Sequence, residues 1–206
     1  MTKGPAYRIV TERLVVRCWE PSDAPALKEA LDSSLEHLRR WMPWAANEPQ
    51  PLEQKVALLR TFRGNFDADE DFVYGIFDRE ETRVLGGTGL HTRIGPHARE
   101  IGYWIREDAE GNGYVTEAVA ALTRVGFELE GLERIEIRVE PDNARSRRIP
   151  ERLGYAEEAA LRGRVRNAKD EPRDVIVYSL FDDTYRSSPS AGATLEAFDA
   201  AGNRVL

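Results

Sequence analysis

The sequence predicts an α/β (α+β) fold, a mostly antiparallel sheet flanked by helices. Three observations carry this. Between Phe72 and Ile105, "DFVYGIFD", "RVLGGTGLHTRI" and "EIGYWI" alternate like strands and are separated by "REET" and a Gly-Pro turn, which reads as an antiparallel meander. Apolar residues recur at helical spacing at Leu52, Val56 and Leu59, and again at Val115, Ala118, Val119, Leu122, Val125 and Leu129. Third, "EIGYWIREDAEGNGYVTEAV" runs from a strand through a glycine turn straight into a helix.

The remaining elements follow in order. "TERLVVRCW" (Thr11–Trp19) alternates and is rich in β-branched residues, so it reads as a strand. Ser22 or Asp23 can cap a helix with Ala26, Leu27, Ala30 and Leu31 on one face. The prolines of "LRRWMPWAANEPQP" break regular structure there. Gly131 ends the long helix, and "RIEIRVE" is a strand. "NARSRRIPERLGY" reads as a short helix capped by Asn143 and ended by Gly154, and two final strands run to Phe181. Residues 1–185 are thus expected to form one domain. From residue 186 the chain turns small and polar, which reads as a C-terminal tail or a partner-contacting arm.

Composition narrows the function. The 206 residues suit a single ample core, with 41% hydrophobic and 32% charged residues. A net charge of −7 argues against a nucleic-acid surface and fits attraction of a cationic substrate. No apolar run reaches the roughly 18 residues of a membrane span, the first residues lack a signal-peptide core, and the single cysteine, Cys18, allows no internal disulfide. A cytoplasmic protein without membrane partners is expected.

The glycine turn invites an anion. A helix N-terminus presents unpaired N–H groups and the positive end of its dipole, and glycine lets a ligand approach the backbone. A tight strand-to-helix turn with no ligand is the plain alternative. Neither G-K-[ST] nor a third glycine is present, since Thr116 stands in its place, so both common nucleotide folds fit poorly.

Taken in order, "EIGYWI…EGNGYVTEAV", "RIEIRVEPDNARSRRIPERLGY" and the opening "TERLVVR" resemble the Gcn5-related N-acetyltransferases (GNAT), in particular the RimJ/RimL-like branch that acetylates ribosomal-protein N-termini. The resemblance spans roughly Thr11 to Phe181. It implies a mixed, splayed central sheet and acetyl-CoA as co-substrate, with no metal. It puts the pyrophosphate on the amides of Glu110, Gly111, Asn112, Gly113, Tyr114 and Val115. The pantetheine arm would add beside the strand at Trp104, Ile105 and Arg106, and Asn143 would contact it. Asp108 replaces the Gln or Arg common in the family, so Arg106, Arg145, Arg147 or Arg148 would supply the missing cation.

Acetyl transfer to a primary amine needs a base, an oxyanion donor and an acid for the thiolate. The resemblance offers Glu100 as base, and a surface carboxylate paired with Arg99 or Arg93 is its structural alternative. His91 is the competing base, its side chain being suited to proton exchange near neutral pH. The family's usual tyrosine acid falls at Pro150, which has no donor. The ribosomal branch resembles this chain in having a serine three residues after the asparagine, here Ser146, and that resemblance nominates Ser146 to stabilise or protonate the thiolate, against an ordinary helix serine. Trp41 and Trp44 lie where the family builds its acceptor pocket, or else cap the core. The acceptor is expected to be a protein or peptide α-amino group. A small-molecule amine, or a catalytically silent acetyl-CoA-binding module, is the alternative, and a homodimer is a further expectation.

Overall fold

A computed structural model describes residues 5–167 and 169–206. The first four residues of the expected domain, and Ala168 between the last two expected strands, lie outside the described residues. The chain forms β1 (Arg8–Val10), β2 (Leu14–Cys18), α1 (Ala24–Asp32), α2 (Leu35–Trp41), α3 (Leu52–Asp67), β3 (Phe72–Asp78), β4 (Val84–His91) and β5 (Ala98–Ile105). It continues with α4 (Tyr114–Glu128), β6 (Arg134–Val139), α5 (Ala144–Leu153), β7 (Ala156–Arg166), β8 (Pro172–Phe181), α6 (Asp182–Tyr185) and β9 (Glu196–Phe198).

The strands make one sheet in the order β7-β8-β6-β5-β4-β3-β2-β1-β9. The meander β3-β4-β5 is antiparallel as expected. Among the described residues only β5 and β6 run parallel, and they pair over Ala98–Glu100 against Arg134–Glu136. Beyond Glu100 the two strands part, and the splay exposes the edge of β5 from Ile101 to Ile105.

Helices cover both faces. Ala118, Val119, Leu122 and Val125 of α4 are buried against Leu90, Ile101, Ile135 and Ile137, so the predicted apolar stripe is the packing face. On the other side Leu27 and Leu31 of α1 and Leu59 of α3 pack with Val15, Trp19 and Phe77. The glycines of β4 serve close approach. A Cβ at Gly86 would sit 2.2 Å from the Trp104 carbonyl oxygen, and one at Gly87 2.5 Å from the Trp104 indole nitrogen.

Three elements differ from the sequence reading. β1 escaped notice because it is three residues long. α2 forms where broken structure was expected, because Pro43 falls after its last turn and its buried Leu38 anchors it. The expected tail is built into the domain: β9 pairs with β1, Ala197 and Ser190 are fully buried, and the Ser190 hydroxyl donates to the Leu153 carbonyl at 2.8 Å. Its small residues, which looked like linker composition, are what close packing there requires. Among the described residues no helix is long and apolar enough to cross a membrane.

Candidate active site

A groove of about 770 Å³ opens at the splay. Its walls are the β5 edge (Tyr103, Trp104, Ile105), the turn before α4, the start of α5 (Asn143, Arg145, Ser146) and α2 (His37, Trp41).

The turn is shaped for an anion. Gly111 and Gly113 have φ of +77° and +79°, a region costly for other residues. The Glu110 N–H is spent on the Glu107 carbonyl at 3.2 Å. From Gly111 through Thr116, no protein group among the described residues accepts from the main-chain N–H groups. Such an uncommitted run at a helix start suits a pyrophosphate. The loop is braced from outside. Arg13 donates to the Asn112 carbonyl at 2.9 Å and to Glu117 at 2.7 Å, and Thr11 donates to Glu117 at 2.6 Å. Glu117 therefore ties the β1–β2 turn to the start of α4. The Asn112 side chain bonds the Ala109 and Glu110 carbonyls and holds the turn from within.

Strand alternation corrects the expected pantetheine edge. The Arg106 N–H donates to the Leu85 carbonyl at 2.8 Å, and the Gly102 carbonyl accepts from Thr88 at 2.9 Å. Residues 102, 104 and 106 thus direct their backbone groups to β4, leaving those of Tyr103 and Ile105 toward the gap. Trp104 reaches the groove by its side chain. Arg106 does not: it is buried, bidentate to Glu29 at 2.9 Å and bonded to Asp108 at 2.6 Å, outside the groove. Asp108 also pairs with Arg83, so each of its carboxylate oxygens is held by a guanidinium group. Arg145 and Arg148 line the groove, whereas Arg147 bonds Tyr178. The Glu110 carboxylate meets Arg145 and stands 3.3 Å from His37, linking α2 to α5 across the mouth.

Asn143 caps α5 by accepting from the Ser146 N–H at 3.1 Å, and it lines the groove. Pro150 lies inside α5 and has no N–H, so the Ser146 carbonyl loses its helical donor. The Tyr103 hydroxyl takes that place at 3.1 Å and stands 3.0 Å from the Ser146 hydroxyl. Burial pushes the Tyr103 hydroxyl well above its ordinary range, against a smaller opposing effect of Ser146, so it stays protonated. Tyr103 was missed in the sequence. The signal was there: Pro150 orphans the carbonyl four residues before it.

The two candidate bases, His91 and Glu100, are register partners on β4 and β5, on the face of β5 that carries Trp104 and opposite Tyr103. Neither lines the groove wall described above. Both Glu100 oxygens are held by Arg93, and Arg138 stands 3.6 Å from one of them. His91 Nδ1 meets Asp71 at 2.9 Å. Trp41 lines the groove under the Arg40 guanidinium, 4.8 Å from its ring. Trp44 stands outside it, 40% exposed, edge-on to Trp104 at 6.1 Å. Cys18 is a core residue whose thiol burial pushes up to about 11.

A splayed parallel pair beside an amide-lined turn defines an acyl-CoA-dependent transferase. The model of the acetyltransferase (GNAT) domain matches residues 13–156, and the chain belongs to that family. It is an acetyl-CoA-dependent N-acetyltransferase, similar to the ribosomal-protein enzymes. YdaF of Bacillus subtilis, provisionally assigned as a ribosomal N-acetyltransferase, is 30% identical over 83% of this chain and 92% of its own. The ribosomal protein uS5-alanine N-acetyltransferase of Escherichia coli is 28% identical over 75% of this chain and 80% of its own. An L7/L12 α-N-protein acetyltransferase, solved with coenzyme A, superposes with a TM-score of 0.73 at 22% identity, over 84% of this chain and 97% of that one.

Proposed function

We propose that this protein transfers the acetyl group of acetyl-CoA to the α-amino group of a protein or peptide by direct attack. The observation that carries the reading is the open β5 edge running into the uncommitted amides of residues 111–116. A pantetheine arm can add to that edge as an extra strand, and its pyrophosphate can settle on the amides. The residues present fit the group: two left-handed glycines, the amide run and Arg145 and Arg148 beside it. In this reading Asn143 contacts the arm and the Ile105 N–H faces the developing oxyanion. Ser146 stabilises and protonates the leaving thiolate, with Tyr103 fixing its helix. Trp41 forms a wall of the acceptor path and Trp44 its outer rim.

The acceptor class rests on the ribosomal N-terminal acetyltransferases among the relatives and on the net negative charge, which favours a cationic amine. A released or bound proton must pass to the β4–β5 face. Glu100, the first choice from sequence, has its oxygens held by guanidinium groups, whereas among the described residues His91 Nε2 has no partner, so His91 is taken as the acceptor. Peptides with free Ala or Ser N-termini, each also carrying a lysine, test this by mass spectrometry. Acetylation of the α-amine alone is expected. Transfer confined to the lysine Nζ, or none to any peptide, would refute the acceptor class.

A further inference from the structure

We infer that Asp71 and His91 form a dyad in which Asp71 is a positioning residue and His91 Nε2 accepts the proton of the attacking amine. The inference rests on the reaction proposed above and deepens it.

The geometry is specific. Asp71 lies just before β3, and His91 ends β4. His91 Nδ1 stands 2.9 and 3.2 Å from the two Asp71 oxygens, and the Thr92 N–H donates to the same carboxylate at 3.2 Å. Burial alone would push the Asp71 carboxyl up; the bonds and charge of His91 and the Thr92 amide outweigh it and hold the group below the usual carboxylate range. An ionised partner at Nδ1 requires a proton there, so the neutral ring carries its lone pair on Nε2.

That nitrogen lies over the glycines of β4 and β5. A Cβ at Gly89 would come within 2.7 Å of Nε2, and one at Gly102 within 3.5 Å. Among the described residues Nε2 has no hydrogen-bond partner, and the side chain is 18% exposed. Gly102 is two residues past Glu100, the last β5 residue paired with β6. Nε2 therefore stands beside the point where the strands part, on the face opposite α5 and Ser146. The other charges there are Arg93, Glu100 and Arg138, already paired with one another.

The step balances. The substrate ammonium gives one proton to Nε2, and the freed nitrogen bonds to the thioester carbonyl carbon. As the C–S bond breaks, the sulfur takes the Ser146 hydroxyl proton, and the second proton of the nitrogen restores that hydroxyl. His91 returns its proton to solvent. Asp71 holds the tautomer and stabilises the imidazolium.

The test joins a spectroscopic readout to kinetics. In the ¹⁵N-labelled protein, the imidazole shifts of His91 should report the Nδ1–H tautomer, and Asp71→Asn should convert it to a mixture. An Nε2–H ring in the native protein overturns the dyad whether or not turnover is seen. With the peptides above, His91→Gln should lower kcat by about 10²–10⁴-fold, Asp71→Asn by roughly tenfold to a hundredfold, and the double variant no further than His91→Gln. Acetyl-CoA affinity and thermal midpoint should stay near native. Native kcat in either single variant, or losses that multiply in the double, refutes the inference. If the native protein modifies no peptide, the acceptor proposal fails, and the tautomer alone decides the dyad.

Discussion

Ser146 shows how a single substitution in the chain reorganises a site. Pro150 strips its carbonyl of a helical donor, and Tyr103 crosses the groove to replace it. Removing that hydroxyl leaves a half-buried acceptor without its protein donor, a cost of about 1 kcal/mol. Tyr103→Phe should therefore lower the thermal midpoint and raise the KM for acetyl-CoA, because α5 and β5 are the two walls it ties together. Ser146→Ala should leave both near native and lower kcat about tenfold or more; scanning calorimetry with steady-state kinetics separates the two patterns. The proline was legible in the sequence as a departure from the family pattern, and the serine as a match to its ribosomal branch. Tyr103 and Asp71 were not, because their roles depend on partners 43 and 20 residues away that only the sheet brings into register. Glu100 was legible as a strand carboxylate, but the arginine from β6 that approaches it could not be read before β6 was known to lie alongside.

At the scale of elements, the glycine turn and its brace set the cofactor site. Gly113 sits at φ +79°, and among the described residues a Cβ there would meet the Arg13 guanidinium at 3.5 Å, an ordinary contact. The cost of Gly113→Ala is thus conformational, roughly 1 kcal/mol or somewhat more. It should fall on the loop: weaker acetyl-CoA binding by calorimetry, with a small loss of thermal stability. Unchanged affinity would mean the turn does not carry the pyrophosphate. The strand–turn–helix order was readable from pattern alone, since glycine and the 3.6-residue period leave few other choices. The Arg13–Glu117 brace was not, because it joins residues 104 apart. α2 was misread because the three prolines that follow it outweighed a short apolar pattern that tertiary packing completes.

Across the whole molecule, one buried charge gives a stability signature independent of turnover. Glu130 follows α4 and faces Arg99 at 3.2 Å. Burial pushes its carboxyl up to about 7 from the usual 4.5, with Arg99 pulling the other way. The folded state therefore holds a proton that the unfolded chain releases between those values. Its contribution to stability is full below about pH 4.5 and is lost as pH rises through 7. Relative to Glu130→Gln, the native protein should lose about 2–3 kcal/mol between pH 5 and pH 8 in urea unfolding; a constant difference across that window would contradict the assignment. At this scale the sequence conveyed the mixed fold class and the sheet's middle, where periodicity is strong. It missed the closing of the sheet by residues 186–206, whose small side chains carry no periodic signal although the packing needs them.

The proposed transfer requires acetyl-CoA to lie between β5 and β6 with its pyrophosphate on residues 111–116. Calorimetric titration of the native protein with acetyl-CoA, with ATP and NAD as controls and Gly113→Ala alongside, tests that most directly. Saturable binding of acetyl-CoA alone, weakened in the variant, is the predicted result. No binding by the folded native protein, or equal affinity for ATP, would contradict it.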